Sequence, residues 1–254
     1  MKNERIKRVS IKNVSKTFNI DIYKNRGLGE SILNIFSSKN KKKITPVNNV
    51  SFDVYSGESI GILGNNGAGK STLLRLIAGI YEHDEGQIET FGKVLYMDGF
   101  GKGLQPRLTM RQNIYLLALV RGIKEKDIKS KFNEIVEFSG LEKHLDQKIY
   151  QFSTGMITRL VFSISIFCLN LQNPNVLLID EVLNAGGDSI FQKKSGRKLE
   201  ELIEGGASLI FVSHAINNLR KYCSKTILLE QGRVVKIGPT EEIIKLYLRT
   251  NKIT

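Results

Sequence analysis

The strongest chemical signal in the chain is the stretch Gly64-Asn65-Asn66-Gly67-Ala68-Gly69-Lys70-Ser71. A glycine, four residues, then Gly-Lys-Ser is the spacing of a loop that wraps phosphate. Backbone N–H groups must converge on phosphate oxygens, so side chains must be absent where the chain turns hardest; glycine permits those turns. A helix beginning near Lys70 aims the positive end of its dipole at the same anion. Lys70 brings an ammonium to the outer phosphates, the Ser71 hydroxyl suits Mg²⁺, and Thr72 completes the binding set. A glycine-rich turn with an incidental Lys-Ser is the bland alternative. A strand before the loop and a helix after it argue against that alternative, and a nucleoside triphosphate is implied.

The second signal is Val176-Leu177-Leu178-Ile179-Asp180-Glu181, an apolar run ending in two carboxylates. At the carboxyl end of a parallel strand such groups face the crevice where ligands bind. Asp180 suits Mg²⁺, directly or through water, and Glu181 can polarise an attacking water. Alone the pair could be plain solvent-facing polarity. Beside a phosphate loop it is expected to be catalytic.

The elements that must position these residues alternate. Arg8 to Val14 and Val50 to Val54 alternate polar and apolar residues, as half-buried strands do. Between them, about residues 19–46, the pattern breaks into a basic insertion. There Ile32, Leu33, Ile35 and Phe36 could line one face of a short helix, ahead of Lys39-Asn-Lys-Lys-Lys43. Ser59 to Leu63 reads as a buried strand, Ser71 to Ile80 as a helix and Val94 to Met97 as a strand. Residues ~107 to ~170 show only helical periodicity, punctuated at Ser139-Gly140-Leu141. Val176 to Ile179 and Leu209 to Val212 are apolar runs covered on both faces. Thr226 to Leu229 and Arg233 to Ile237 flank Gln231-Gly232 as a hairpin. The fold class expected is α/β, a parallel core with a helical lobe.

The chain has 254 residues, 41% hydrophobic and 25% charged, an ordinary globular mixture. No apolar run reaches the roughly 18–20 residues that cross a bilayer. The charged start, Met1 to Ser10, does not fit a signal peptide, so the protein is expected in the cytosol. Cys168 and Cys223 have no metal-ligand spacing and read as reduced structural thiols. Residues 1–45 hold twelve Lys/Arg against three Asp/Glu, which is +9 of the net +13. Such an arm could meet nucleic acid, anionic headgroups or an acidic partner, or simply keep the protein soluble.

Three further segments make the pattern specific. Phe152-Ser153-Thr154-Gly155-Met156, followed by Arg159-Leu160, resembles the signature motif of ABC ATPases in a degenerate form, with Ser153 and Gly155 kept from Leu-Ser-Gly-Gly-Gln. Ser213-His214 after the strand at 209–212 matches the family's switch histidine. Phe18 fits its adenine-stacking aromatic. Read without the family, Ser153 is a helix cap, His214 a structural or solvated imidazole, and Phe18 core. The resemblance implies an ABC-type ATPase over residues 1–254. It has a mainly parallel core sheet, an antiparallel β subdomain and a helical subdomain at about 105–170. It also implies ATP and Mg²⁺ as cofactors and Glu181 and His214 as catalytic residues. Two copies would meet as a nucleotide-sandwich dimer, with Ser153 and Gly155 touching the γ-phosphate held by the partner.

Two departures are visible. The family places a Gln at the end of the strand near Met97, where this chain has Asp98, expected to serve the metal as a carboxylate. After Glu181, the stretch Leu183 to Asp188 is one residue longer than the common pattern. The degenerate signature, Asp180-Glu-Val-Leu, Phe191-Gln-Lys-Lys194, Phe211-Val-Ser-His-Ala215 and Gly101 to Thr109 resemble ATPases that export O-antigen, capsule or teichoic acid. That implies a separate transmembrane permease as partner and a peripheral place on the cytoplasmic membrane surface, with no room for a C-terminal carbohydrate-binding domain. Other cargoes (drug, lipid, metal complex), a nucleic-acid or ribosome-acting ABC ATPase and a small-molecule kinase are the competing readings. Nucleic acid is disfavoured, because such proteins carry two cassettes or a long coiled coil.

Overall fold

The computed structural model describes residues 6–21, 41–98, 103–172, 174–180, 189–213 and 215–250. A three-stranded antiparallel sheet joins β1 (Lys7–Asp21), β2 (Lys41–Tyr55) and β4 (Glu85–Thr90) in the order β2-β1-β4. A six-stranded sheet joins β3 (Ser59–Leu63), β5 (Val94–Asp98), β6 (Val176–Asp180), β7 (Ser208–Val212), β8 (Lys225–Glu230) and β9 (Arg233–Pro239). Its order is β5-β6-β7-β3-β8-β9, parallel except for the β8–β9 pair. That pair is the hairpin expected at Gln231-Gly232, whose φ values of 45° and 79° are the positive pair a tight two-residue turn needs.

The central strands β3, β6 and β7 are buried at every position. Alternation sorts their side chains into two cores. Val176, Leu178, Ile210 and Val212 face α1 (Lys70–Ile77) and the antiparallel sheet, where Leu73 and Leu74 meet Val9, Ile11, Val50 and Val54. Leu177, Ile179, Leu209 and Phe211 face the helical layer on the other side. Each fully buried side chain of this size contributes about 1.5–3 kcal/mol. So α1, the helix that carries the phosphate loop at its start, is clamped between two sheets.

That helix is shorter than expected. It ends at Ile77, and Gly79 turns the chain with φ 70°. The long strands β1 and β2 also run through both ends of the stretch expected to be an insertion: Phe18 pairs with Ile44, and Asn19 with Lys43. The remainder of that stretch, with its expected short helix, lies outside the described residues. Asn13 and Asn49, with φ 51° and 54°, mark register shifts where the sheet re-phases.

The helical layer holds α2 (Met110–Val120), α3 (Glu125–Ser139) and α4 (Thr154–Gln172). Thr109 and Gln112 close a reciprocal capping box on α2. Gly140, φ 64°, ends α3. α4 is apolar nearly all round, as a helix buried between others must be. It and its neighbours bring Phe138, Phe162, Phe167 and Phe191 into one aromatic cluster. α5 (Ser189–Glu204) and α6 (Ile216–Tyr222) cross back to β7 and β8. α7 (Thr240–Thr250) returns onto the sheet through Ile243 and Ile244. Among the described residues no helix is long and apolar enough to cross a membrane.

Candidate nucleotide site

The carboxyl ends of β3 and β6 open onto one crevice. Leaving β3, the chain enters the loop at Gly64, where an added methyl would lie 2.1 Å from the Leu229 carbonyl oxygen. Only a glycine lets the loop leave so close to β8. Gly69, φ 101°, is the last residue before α1, and a methyl there would lie 1.8 Å from the Pro46 carbonyl oxygen. The loop is strapped from both sides. Gly232 N–H donates to the Ala68 carbonyl at 3.0 Å, and Asn48 N–H donates to the Gly232 carbonyl at 2.8 Å. The tip of the β8–β9 hairpin thus ties the loop to β2.

Lys70 is only 6% exposed. Its ammonium bends back over the loop and donates to the carbonyls of Gly64 (2.8 Å) and Asn65 (3.0 Å). A buried cation held by two neutral carbonyls retains strong attraction for an anion. A cleft of about 380 Å³ lies over it, lined by Asn66 through Thr72 with Phe18, Ile44 and Pro46. Phe18 forms one wall, edge-on to Tyr81 with ring centres 5.5 Å apart, and the Lys16 ammonium lies 5.5 Å from its ring. Lys16 also pairs with Asp84 at 2.8 Å, and Thr17 N–H donates to the same carboxylate at 2.6 Å. These two bonds hold the Asp84 carboxyl below its ordinary pKa and fix the strand that presents Phe18.

At the other end of the cleft stands Asp180, the last residue of β6 and 7% exposed. The Ser71 hydroxyl donates to its Oδ1 at 3.2 Å, and the Tyr96 hydroxyl donates to its Oδ2 at 3.2 Å. A hydroxyl and a carboxylate side by side are hard oxygen donors that fit Mg²⁺, which keeps several waters and takes phosphate oxygens for the rest. No cluster of three or more His, Cys, Asp or Glu occurs among the described residues.

The fold therefore brings together Phe18, the loop from Gly64 to Gly69, Lys70, Ser71, Thr72 and Asp180. Ser153 and Gly155 do not line that cleft. Ser153 precedes α4, its hydroxyl accepting from Met156 N–H at 3.3 Å. A methyl on Gly155 would find the Ser153 oxygen at 4.0 Å and nothing nearer, so this helix start is open. Glu181 and His214 lie outside the described residues. Asp98 pairs with Asp180 across β5 and β6, and its side chain lies outside them too.

A family model described as ABC transporter matches residues 47–184. The chain belongs to the ABC transporter family. It is an ATP-binding and ATP-hydrolysing cassette. The O-antigen export system ATP-binding protein RfbB of Klebsiella pneumoniae is 34% identical over 94% of this chain and 96% of its own length. The teichoic acids export ATP-binding protein TagH of Lactococcus lactis is 39% identical over 83% of this chain, which spans 44% of that longer relative. A solved ATP-binding subunit of an ABC transporter superposes with TM-score 0.69 and 21% identity, covering 94% of this chain and 93% of its own. A dimeric ATP-binding cassette bound to ADP and Pi gives 0.68 and 23%, covering 91% and 98%. These two structures share the fold.

Sequence reasoning missed two side chains bonded to residues of the ABC site. Tyr96 was hidden inside an apolar strand. Tyr247 of α7, whose hydroxyl donates to the Asn65 side-chain oxygen at 2.9 Å, stands far along the chain with no motif around it.

Proposed function

We propose that this cassette powers export of a polysaccharide, or a polysaccharide–lipid conjugate, through a separate transmembrane subunit at the cytoplasmic membrane. The single observation that carries the cargo is the end-to-end likeness to RfbB, an O-antigen export ATP-binding protein. Two copies meet head to tail. Phe18 stacks on the base, backbone N–H groups from Asn66 to Lys70 cradle the phosphates, and Lys70 exchanges its two carbonyls for phosphate oxygens. Ser153 and Gly155 of the second copy reach the γ-phosphate with a hydroxyl and an open helix N-terminus. Glu181 takes a proton from the attacking water, and His214 holds the γ-phosphate side of that geometry. Ser71 and Asp180, with Asp98 near, would hold Mg²⁺, which would supply positive charge against the phosphates.

The decisive variant is Glu181→Gln. With Mg²⁺ and ATP it should run in size-exclusion chromatography at twice the mass of the monomer, with turnover about 10²–10⁴-fold lower. Strictly monomeric protein turning over at the wild-type rate would overturn the sandwich. The cargo is tested separately in cells. Lys70→Ala should leave surface polysaccharide absent and its lipid-linked precursor inside; normal surface polysaccharide would exclude that cargo.

A further inference from the structure

Asp180 has two carboxylate oxygens and two partners. Ser71 donates to Oδ1 and Tyr96 to Oδ2, each at 3.2 Å. Strand register explains why Tyr96 can reach. It pairs with Leu178, so it shares a sheet face with Asp180 two residues further on, a diagonal distance within reach of a long aromatic side chain.

We propose that Tyr96 is a positioning residue for Asp180. The inference rests on the metal-side role proposed for Asp180. Once Ser71 and Oδ1 turn toward a divalent cation, the Tyr96 bond is what keeps the carboxylate from rotating, since that terminal torsion is broad and two-fold when unheld.

Calorimetric titration of Tyr96→Phe with ATP, in Mg²⁺ and in EDTA, tests this. Phenylalanine keeps the ring and removes only the donor. Affinity for Mg²⁺-ATP should fall about 5- to 20-fold while affinity for ATP in EDTA stays within about twofold of wild type. Unchanged Mg²⁺-ATP affinity would overturn the proposal. So would an equal loss in both conditions, since that marks a general packing role. A wild-type protein that binds no nucleotide would instead sink the ATPase reading, so the two failures are distinct.

Discussion

At Gly69 the geometry leaves room for one hydrogen and nothing more. Gly69→Ala combines a left-handed backbone with a methyl driven into the Pro46 carbonyl. Denaturant titration should show a loss of at least about 2 kcal/mol, with nucleotide binding abolished. Asp84 offers a pH test. Lys16 and Thr17 hold its carboxyl low, so the folded state favours the ionised acid. The resulting stability is fully present above the ordinary carboxylate range and is lost as pH falls through the lowered value. The stability gap between wild type and Asp84→Asn should therefore be visible in urea at pH 7 and shrink as pH falls below the ordinary carboxylate range; a constant gap would exclude the linkage. Burial pushes the Cys223 thiol up to about 12, and burial raises Cys168 as well, against the pull of Arg121. Both thiols are buried and disfavoured as thiolates, so an aromatic disulfide reagent should label neither cysteine until the protein is unfolded.

Among the elements, the turn from β5 to α2 depends on Asn113. It is fully buried, accepts from Gln105 N–H at 2.7 Å, and donates to the carbonyls of Gln105, Leu108 and Thr109. Replacing it by leucine strands the Gln105 N–H, while the three carbonyls keep their backbone donors, Leu108, Ile149 and residue 113. About 1–3 kcal/mol should be lost in thermal or urea unfolding, and the segment 103–109 should become protease-sensitive first. The elements were unevenly legible. Buried strands such as β6 and β7 announce themselves because every position is apolar, and the phosphate loop because few other turns need three glycines and a lysine so closely spaced. β4, Glu-Gly-Gln-Ile-Glu-Thr, was invisible: its strand character comes from pairing with β1, and its side chains are mostly exposed. α7 was missed because only Ile243 and Ile244 face the core strongly. Of the site, the loop, Ser71 and Asp180 stand in motifs. Tyr96 matters only because the sheet register sets it beside Asp180, and no spacing in the chain encodes that.

For the molecule as a whole, nucleotide binding and folding must be linked, because the cleft draws on β1, β2, β3, α1 and β6 together. Saturation at 100 times the dissociation constant adds about 2.7 kcal/mol. For a chain of this size that is an upward shift of about 5–10 °C in Tm. Lys70→Ala should lose the shift, as read by calorimetry in Mg²⁺ and ATP. The final helix gives this linkage a second hand on the loop. With Tyr247 bonded to Asn65 and Ile243 and Ile244 sunk into the sheet, the helix acts as a latch on the first turn of the phosphate grip. Peeling it away would slacken Asn65, and swinging Asn65 outward would unseat the helix. Fraying of α7 is therefore expected to free the first residues of the phosphate loop.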